Sequence, residues 1–432
     1  LIINIIISNF NIYIFQNIFL FLKTIFYVIF LLYKILGGSK MLNFTYNIPT
    51  KIIFGKDELN RLPKEIREHG KRVLLLYGKN SIKTIGLYDK VANLLNEKDI
   101  FFTELAGVKP NPSIESVREG IKIIRDNKLD FILAVGGGSV VDCAKCISAG
   151  VNYDGDPWDF LIGKANVKNA LPIGTIITLA ATGSEMNGGA VISNEKTQEK
   201  LAFGHPTLVP AFTFEDPTLT FTVSKYQTAA GSSDIFSHLL EQYFSSHEDD
   251  GIADRLTEAM MINVINFARI AVDNPEDYDA RANLLWTSSL ALNNLITYGK
   301  KHGDWSSHGI EHEVSAIYDI THGVGLAILF PNVLKSFLEK DIKENLSLIK
   351  FVNLGKYVFN LTGTDEKDIA RKTIDKVSEF FKSLDMPSTL AEEKVDDSKI
   401  NVMAKGAARN GTIGYYHKLT ESDVLEILKN SL

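Results

Sequence analysis

Cysteine is almost absent: Cys143 and Cys146 are the only two in 432 residues. A framework of disulfide staples is thereby excluded, and a reducing compartment is implied. Their C-x-x-C spacing would suit a redox pair or half of a zinc site, but no second cysteine pair exists to complete the familiar zinc pattern. Two buried or half-buried thiols on one helix is the simpler reading. A strong excess of charge is also missing. With 46 basic and 52 acidic residues the net charge is −6, which gives no electrostatic case for nucleic acid or an anionic membrane. No internal repeat or low-complexity linker is visible. What remains, 45% apolar and 23% charged residues, is the balance of a soluble globular protein with ample material for a large core. The length points to two domains.

A second absence is local. Residues 1–36 contain no Ala, Gly, Pro, Asp, Glu or Arg. That alphabet is what A/T-rich codons produce. The chain opens with Leu1, and GGSK at 37–40 leads directly into Met41. A purine-rich ribosome-binding sequence read in frame would encode the paired glycines. Residues 1–40 therefore read as a translated leader, with the protein starting at Met41. The rival reading is a membrane anchor over NIFLFLKTIFYVIFLLY, 17–33, which nears the roughly 20 apolar residues a spanning helix needs. Lys23 inside it would cost about 2–3 kcal/mol near the bilayer centre. A signal peptide fits less well, for want of a basic start and a small-residue cleavage site.

RVLLLYG (72–78) is a short apolar run ending in glycine and reads as a buried strand; DFILAVGGG (130–138) is another, and ALPIGTIITLAATGSE (170–185) holds a third. Helical spacing lies between them in GLYDKVANLLNEKDI (86–100) and SIESVREGIKIIRDNKL (113–129). The second of these opens on a serine N-cap followed by a glutamate. Strands alternating with helices predict parallel βαβ units. After about residue 224 the spacing is helical almost to the end, including VLKSFLEKDIKENLSLIKFVNLGKYVF. The expected division is an α/β domain over 41–223 and an all-helical domain over 224–432.

AVGGGSVVDCAKCISAG is strand, then Gly136, Gly137, Gly138 and Ser139, then helix. Glycines let the backbone turn tightly and approach a ligand, and the helix start presents free N–H groups and a positive dipole end. A pyrophosphate is the obvious guest. The run lacks the G-x-G-x-x-G spacing and is not a Walker loop. The first strand ends in YGKNSIK, with Gly78, Lys79, Asn80, Ser81 and Lys83. An acidic residue there would bond the adenosine ribose of NAD. None is present, and two lysines would attract a 2′-phosphate, so NADP(H) is favoured over NAD(H).

Nine histidines serve the chain, and six fall between 238 and 322. Asp234 and His238 are four apart, as are His308 and His312, and on helices each pair shares a face. His322 follows ten residues later, before Gly323, where the chain can turn. Imidazole and carboxylate without cysteine suit Zn²⁺ or Fe²⁺. A single histidine pair is more often structural; the specificity lies in the set.

AGSSDIFSHLLE and HGIEHEVSAIYDITHGVGLAILFP resemble the two signatures of the iron-containing (group III) alcohol dehydrogenase family. FGKDEL, GVKPNPSIESVREG, AVGGGSVVDCAK, TLAATGSEMN and EDPTLT resemble it too, in the expected order from Met41 onward. YDGDPWDF, ARANLLWTSSLA and YDITHGVGLAIL are similar to its NADPH-dependent butanol dehydrogenase branch. The resemblance implies a Rossmann-like dinucleotide-binding domain followed by an all-α metal-binding domain, in a dehydroquinate synthase-like architecture. It implies metal ligands at Asp234, His238, His308 and His322, with His312 beside the metal in a proton relay. It implies a cofactor near Gly137, Gly138, Ser139, Asp142, Thr178, Thr182, Asn187 and Lys200. Gly78 falls where NAD-dependent relatives tend to carry aspartate. The implied reaction is hydride transfer between NADP(H) and short- to medium-chain primary alcohols or aldehydes, butanol and butanal among them. The metal would be Fe²⁺, with Zn²⁺ acceptable to the same ligands, and the enzyme a cytoplasmic homodimer. Ser224, where proline is common, and Leu219, where some relatives have tyrosine, depart from the pattern and leave pocket shape and substrate preference open. A polyol dehydrogenase or dehydroquinate-synthase-like lyase of the same fold is the nearer rival. A membrane-tethered binding protein using residues 1–36 is the more remote one.

Overall fold

The computed structural model describes residues 41–432; the leader expected over 1–40, and the rival anchor within it, lie outside the described residues. Strands β1 (Lys51–Phe54), β2 (Arg72–Tyr77), β3 (Phe101–Leu105), β4 (Phe131–Gly136) and β5 (Ile173–Ile177) join a later strand, Phe212–Glu215, in one six-stranded sheet. An antiparallel hairpin of β6 (Gly189–Asn194) and β7 (Glu199–Gly204) stands apart from it, which makes the later strand β8. The sheet order is β1-β8-β5-β4-β2-β3, and every neighbouring pair is parallel.

Helices on both faces explain why the expected strands are continuous apolar runs rather than alternating ones. Val73 and Leu75 pack with α1 (Leu62–Arg67) and α2 (Leu87–Asn96), while Leu74 and Leu76 pack with α3 (Ile114–Asn127) and α4 (Gly138–Gly150). Ser113 caps α3 by accepting from the Ser116 backbone N–H, as the N-cap signal predicts. The chain runs outward from β2 to β3, then returns to place β4 on the other side of β2. That reversal opens a crevice beyond the carboxyl ends of β2 and β4, where α/β sheets bind ligands. Gly78 and the Gly136–Ser139 turn stand at those two ends. Cys143 and Cys146 are free and fully buried on α4. Burial pushes both thiols far above their ordinary range, so neither supplies a thiolate.

From Lys225 onward the described chain is helical apart from one isolated bridge, Ile413 to Leu419. The central helix α5 (Lys225–Tyr243) is capped by the Ser224 hydroxyl and is buried on every face from Thr228 to Tyr243. Around it lie α6 (Ile252–Asp273), α7 (Tyr278–Ala291), α8 (Ser306–Tyr318) and α9 (His322–Glu344). Gly323 does not turn the chain as expected. It is the second residue of α9, and a Cβ there would sit 2.0 Å from the Ala230 carbonyl oxygen. The glycine lets two helices approach, which a spacing argument does not reveal. The long helical pattern over 333–359 also divides: Asn345, at φ 54°, ends α9, and a short helix resumes at Ile349. Among the described residues no helix is long and apolar enough to cross a membrane.

A second histidine group lies away from the cleft. Asp341, on α9, accepts from His247 Nε2 at 2.8 Å, His417 Nε2 at 2.6 Å and the Tyr416 hydroxyl at 2.8 Å. Burial alone would raise the Asp341 carboxyl, but these three donors hold it below its ordinary range. Both carboxylate oxygens are engaged, so the group locks the loop after α5 and the segment at 416–417 onto α9. Asp341→Ala is expected to destabilise the fold by about 3 kcal/mol, because buried donors lose their charged partner. The midpoint of denaturant unfolding, at unchanged slope, measures it.

Candidate metal centre and cofactor cleft

One turn of α5 presents Asp234 and His238 to the same side. α8 adds His308, and α9 adds His322 as its first residue. Asp234 Oδ1 lies 3.5 Å from His238 Nδ1, 3.7 Å from His322 Nε2 and 4.0 Å from His308 Nε2. The ligand atoms of Asp234, His308 and His322 are within 4.8 Å of one another. Asp234 Oδ1, His238 Nδ1 and His308 Nε2 are buried and have no hydrogen-bond partner. Orphaned buried polar atoms are costly and rare. Here the Asp234 and His308 atoms converge with His322, with His238 Nδ1 beside Asp234 at 3.5 Å, and a cation at this place would give the Asp234 and His308 atoms the partner they lack. The donor set, imidazole nitrogen plus one carboxylate oxygen, fits a divalent transition metal.

The electrostatics agree. Burial, joined by the neighbouring imidazoles, pushes His238 well below its ordinary range, and burial brings His308 down to about 3. Neutral imidazoles keep the lone pairs a metal needs. Burial raises the Asp234 carboxyl, with His322 and His308 pulling it back. His312, one turn beyond His308, does not join this group. Its ring lies 5.6 Å from that of His322, and burial and the Lys200 ammonium push its pKa well down.

The histidines form one wall of a cavity of about 410 Å³. His238, His308, His312 and His322 line it from the helical half, and Ser139, Asp142, Thr182, Asn187 and Lys200 from the α/β half. Phe203, Leu292 and Trp305 give it an apolar flank. The glycine-rich turn sits at its edge. A Cβ on Gly138 would lie 2.2 Å from Thr182 Oγ1, so only glycine permits that approach. Thr178 N–H donates to the Gly136 carbonyl at 3.1 Å, pinning the turn against the end of β5. Gly137 precedes the first turn of α4 as its N-cap.

Two of the expected cofactor residues are largely engaged within the protein. Asp142 accepts from the Ser184 hydroxyl at 2.5 Å and from the Val191 N–H at 2.9 Å. Asn187 accepts from Lys145 at 3.1 Å and from the Gly189 N–H at 2.9 Å, and donates to the Gly183 carbonyl. Lys145, a residue sequence reasoning passed over, ties these together. Its ammonium also donates to Ser184 at 2.8 Å and to the Gly189 carbonyl at 2.6 Å. Burial lowers it to about 8, against the pull of Asp142 and Glu185. The hint was its place one helical turn after Asp142 in DCAK. Gly78, Asn80 and Ser81 lie at the end of β2, outside the lining of this cavity. The Gly78 carbonyl accepts from Gly107 N–H at 2.9 Å, and Asn80 opens the short helix Ser81–Thr84.

Two further residues went unnoticed in the sequence. Glu241 is one turn beyond His238, and Glu311 lies between His308 and His312. Both are fully buried, Glu241 against His308 and Glu311 against His322. His308→Ala removes one of the converging nitrogens and is expected to abolish tight metal retention. Metal content after dialysis, compared with the parent protein, tests this.

Residues 49–217 match the family model described as iron-containing alcohol dehydrogenase, and residues 228–432 match its C-terminal domain model. The chain is 49% identical over 394 residues to NADH-dependent butanol dehydrogenase A of Clostridium acetobutylicum, covering 90% of this chain and 100% of that protein. It is 37% identical over 385 residues to the NADPH-dependent aldehyde reductase YqhD of Escherichia coli, covering 88% of this chain and 97% of that one. The crystal structure of NADH-dependent butanol dehydrogenase A from Thermotoga maritima superimposes with a TM-score of 0.87 at 37% identity, covering 91% of this chain and 100% of that structure.

Proposed function

The chain belongs to the iron-containing alcohol dehydrogenase family, and we propose that within it the protein is an NADP(H)-preferring reductase of short- to medium-chain primary aldehydes such as butanal, working also on the matching alcohols. It is an alcohol and aldehyde oxidoreductase by family. The observation that carries the proposal is the convergence of orphaned Asp234, His238 and His308 atoms with His322 on a cavity shared by both halves of the chain.

Asp234, His238, His308 and His322 would hold the metal, Fe²⁺ or Zn²⁺. When bound, the metal supplies Lewis acidity at the substrate oxygen and the nicotinamide supplies or takes hydride. The chain's own residues do the rest. The Gly136–Ser139 turn and the start of α4 receive the pyrophosphate. Phe203, Leu292 and Trp305 cover the alkyl chain and exclude water. His312, neutral and beside His322, can take a proton on one ring nitrogen as it gives one from the other. His312→Ala is expected to retain metal and to lose about 10²-fold in turnover. Loss of metal from that variant would reassign His312 as a ligand.

The names of the relatives divide between NADH and NADPH, so the preference rests on this chain's own residues. Gly78 carries no carboxylate to repel a 2′-phosphate, and Lys79 and Lys83 follow it. Lys83 Nζ lies over the Tyr88 ring, 4.6 Å from its centroid. The nearby Glu104 carboxylate is engaged by the Tyr77 hydroxyl at 2.6 Å and by that of Tyr88. A Cβ on Gly78 would meet only the Val108 carbonyl oxygen, at 3.5 Å, an ordinary contact. Gly78→Asp should therefore fold normally and shift the preference toward NADH. The test is reduction of butanal by chelator-stripped protein reloaded with Fe²⁺ or Zn²⁺, giving kcat/KM for NADPH and NADH in parent and variant. A parent favouring NADH would overturn the preference and leave the metal site standing. Faster turnover of 1,3-propanediol than of butanol would favour the polyol reading.

A further inference from the structure

Each of two metal-facing histidines has a buried carboxylate behind it. His308 turns Nε2 toward Asp234, and its Nδ1 lies 3.1 Å from Glu241 Oε1. The same oxygen accepts the His308 backbone N–H at 2.9 Å, and the other accepts the Trp305 N–H at 2.6 Å. Trp305 is the N-cap of α8, sits at φ 63° and has no side-chain cap of its own. Glu241 thus reaches from α5 to satisfy free N–H groups at the start of α8 and to grip the imidazole carried there. His322 repeats the arrangement by another route. Its Nε2 faces Asp234 at 3.7 Å, and its Nδ1 bonds Glu311 Oε2. Glu311 also accepts from the Ser315 hydroxyl and, at 3.3 Å, from the buried Lys200 ammonium on β7.

We propose that Glu241 and Glu311 are the positioning residues of the metal centre. Each holds the proton of its histidine on Nδ1, which leaves the Nε2 lone pair directed at the metal. A carboxylate in that place also strengthens the imidazole as a donor. Three carboxylates, Asp234, Glu241 and Glu311, stand against one ammonium, Lys200, around the point of convergence. The two residues differ in a way the experiment can use. Glu241 also supports the start of a helix, whereas Glu311 caps none, and its other partners are side chains.

This inference rests on the metal-centre reading, and the test separates the two. Parent protein, Glu241→Gln and Glu311→Gln are stripped of metal, and Zn²⁺ affinity is measured by competition with a chromophoric chelator. Thermal midpoints of the metal-free proteins are measured alongside. Co²⁺ loading adds a visible spectrum sensitive to ligand geometry. The expected result is a 10- to 100-fold weaker affinity in each variant, with a shifted Co²⁺ spectrum and a metal-free midpoint close to the parent's. Restoring a carboxylate as Glu311→Asp should recover part of the affinity. If Glu241→Gln does not fold, Glu311→Gln decides alone. Affinity equal to the parent's in a folded variant overturns the inference, as does a loss that merely follows loss of the fold. A parent that binds no Zn²⁺ overturns instead the metal centre beneath it.

Discussion

A single carboxylate organises the helical half of this protein. Asp234 is 3% exposed on a helix buried all round. An isolated ionised carboxylate in such a place is untenable. Imidazoles arrive from three directions, one from its own helix and two from α8 and α9, and the metal proposed among them would complete the set. This requirement explains packing that apolar spacing alone would not demand. α9 must begin at His322 and approach α5 closely enough that Gly323 can carry no side chain. α8 must start where Glu241 can reach its first N–H groups. The low-dielectric surround then makes each contact stronger than it would be in water.

The cleft depends on the two halves staying in register. Lys200 on the β6–β7 hairpin is paired with Glu311 on α8, both buried. A second seam lies at Ser289 on α7, whose hydroxyl is 2.5 Å from Glu185 and 3.0 Å from Glu215. Burial and the nearby Glu185 carboxylate raise Glu215 far above its ordinary range, and burial raises Glu185 as well. Both seams fix the hairpin and the end of β8 against the helices. The seams would hold the proposed cofactor and metal ends of the cavity at a fixed separation, as hydride transfer requires. The wiring of Asp142, Asn187 and Lys145 does the same for the glycine-rich turn.

Much of the scaffold was legible in the amino-acid order. The runs at 72–78 and 130–138 are long enough, and apolar enough on both faces, to read as interior strands. Ser113 announced its helix. Strands β1 and β8, of four residues each, and the polar-edged hairpin β6–β7 carry no such signal. Their pairing is set by tertiary neighbours, β1 with β8 and β8 with β5. Spacing brought Asp234 and His238, and His308 and His312, onto shared faces. It did not separate His308, whose Nε2 faces Asp234, from His312, which lies beside His322. That distinction belongs to the rotation of α8 against α9.

Residue types, and their order along one helix or strand, were determined locally: the glycine turn, the histidine pairs, the lack of a carboxylate at Gly78, and the alternation of strand and helix. These rest on propensities and periods that act over a few residues. The tertiary structure alone decided which polar atoms would be left without partners, that Glu241 and Glu311 stand behind two of the histidines, and that Gly323 and Gly138 serve close approach rather than turning. Such facts depend on distances between segments far apart in the chain. Burial multiplies the cost or value of every charge placed among them, and no local rule contains that information.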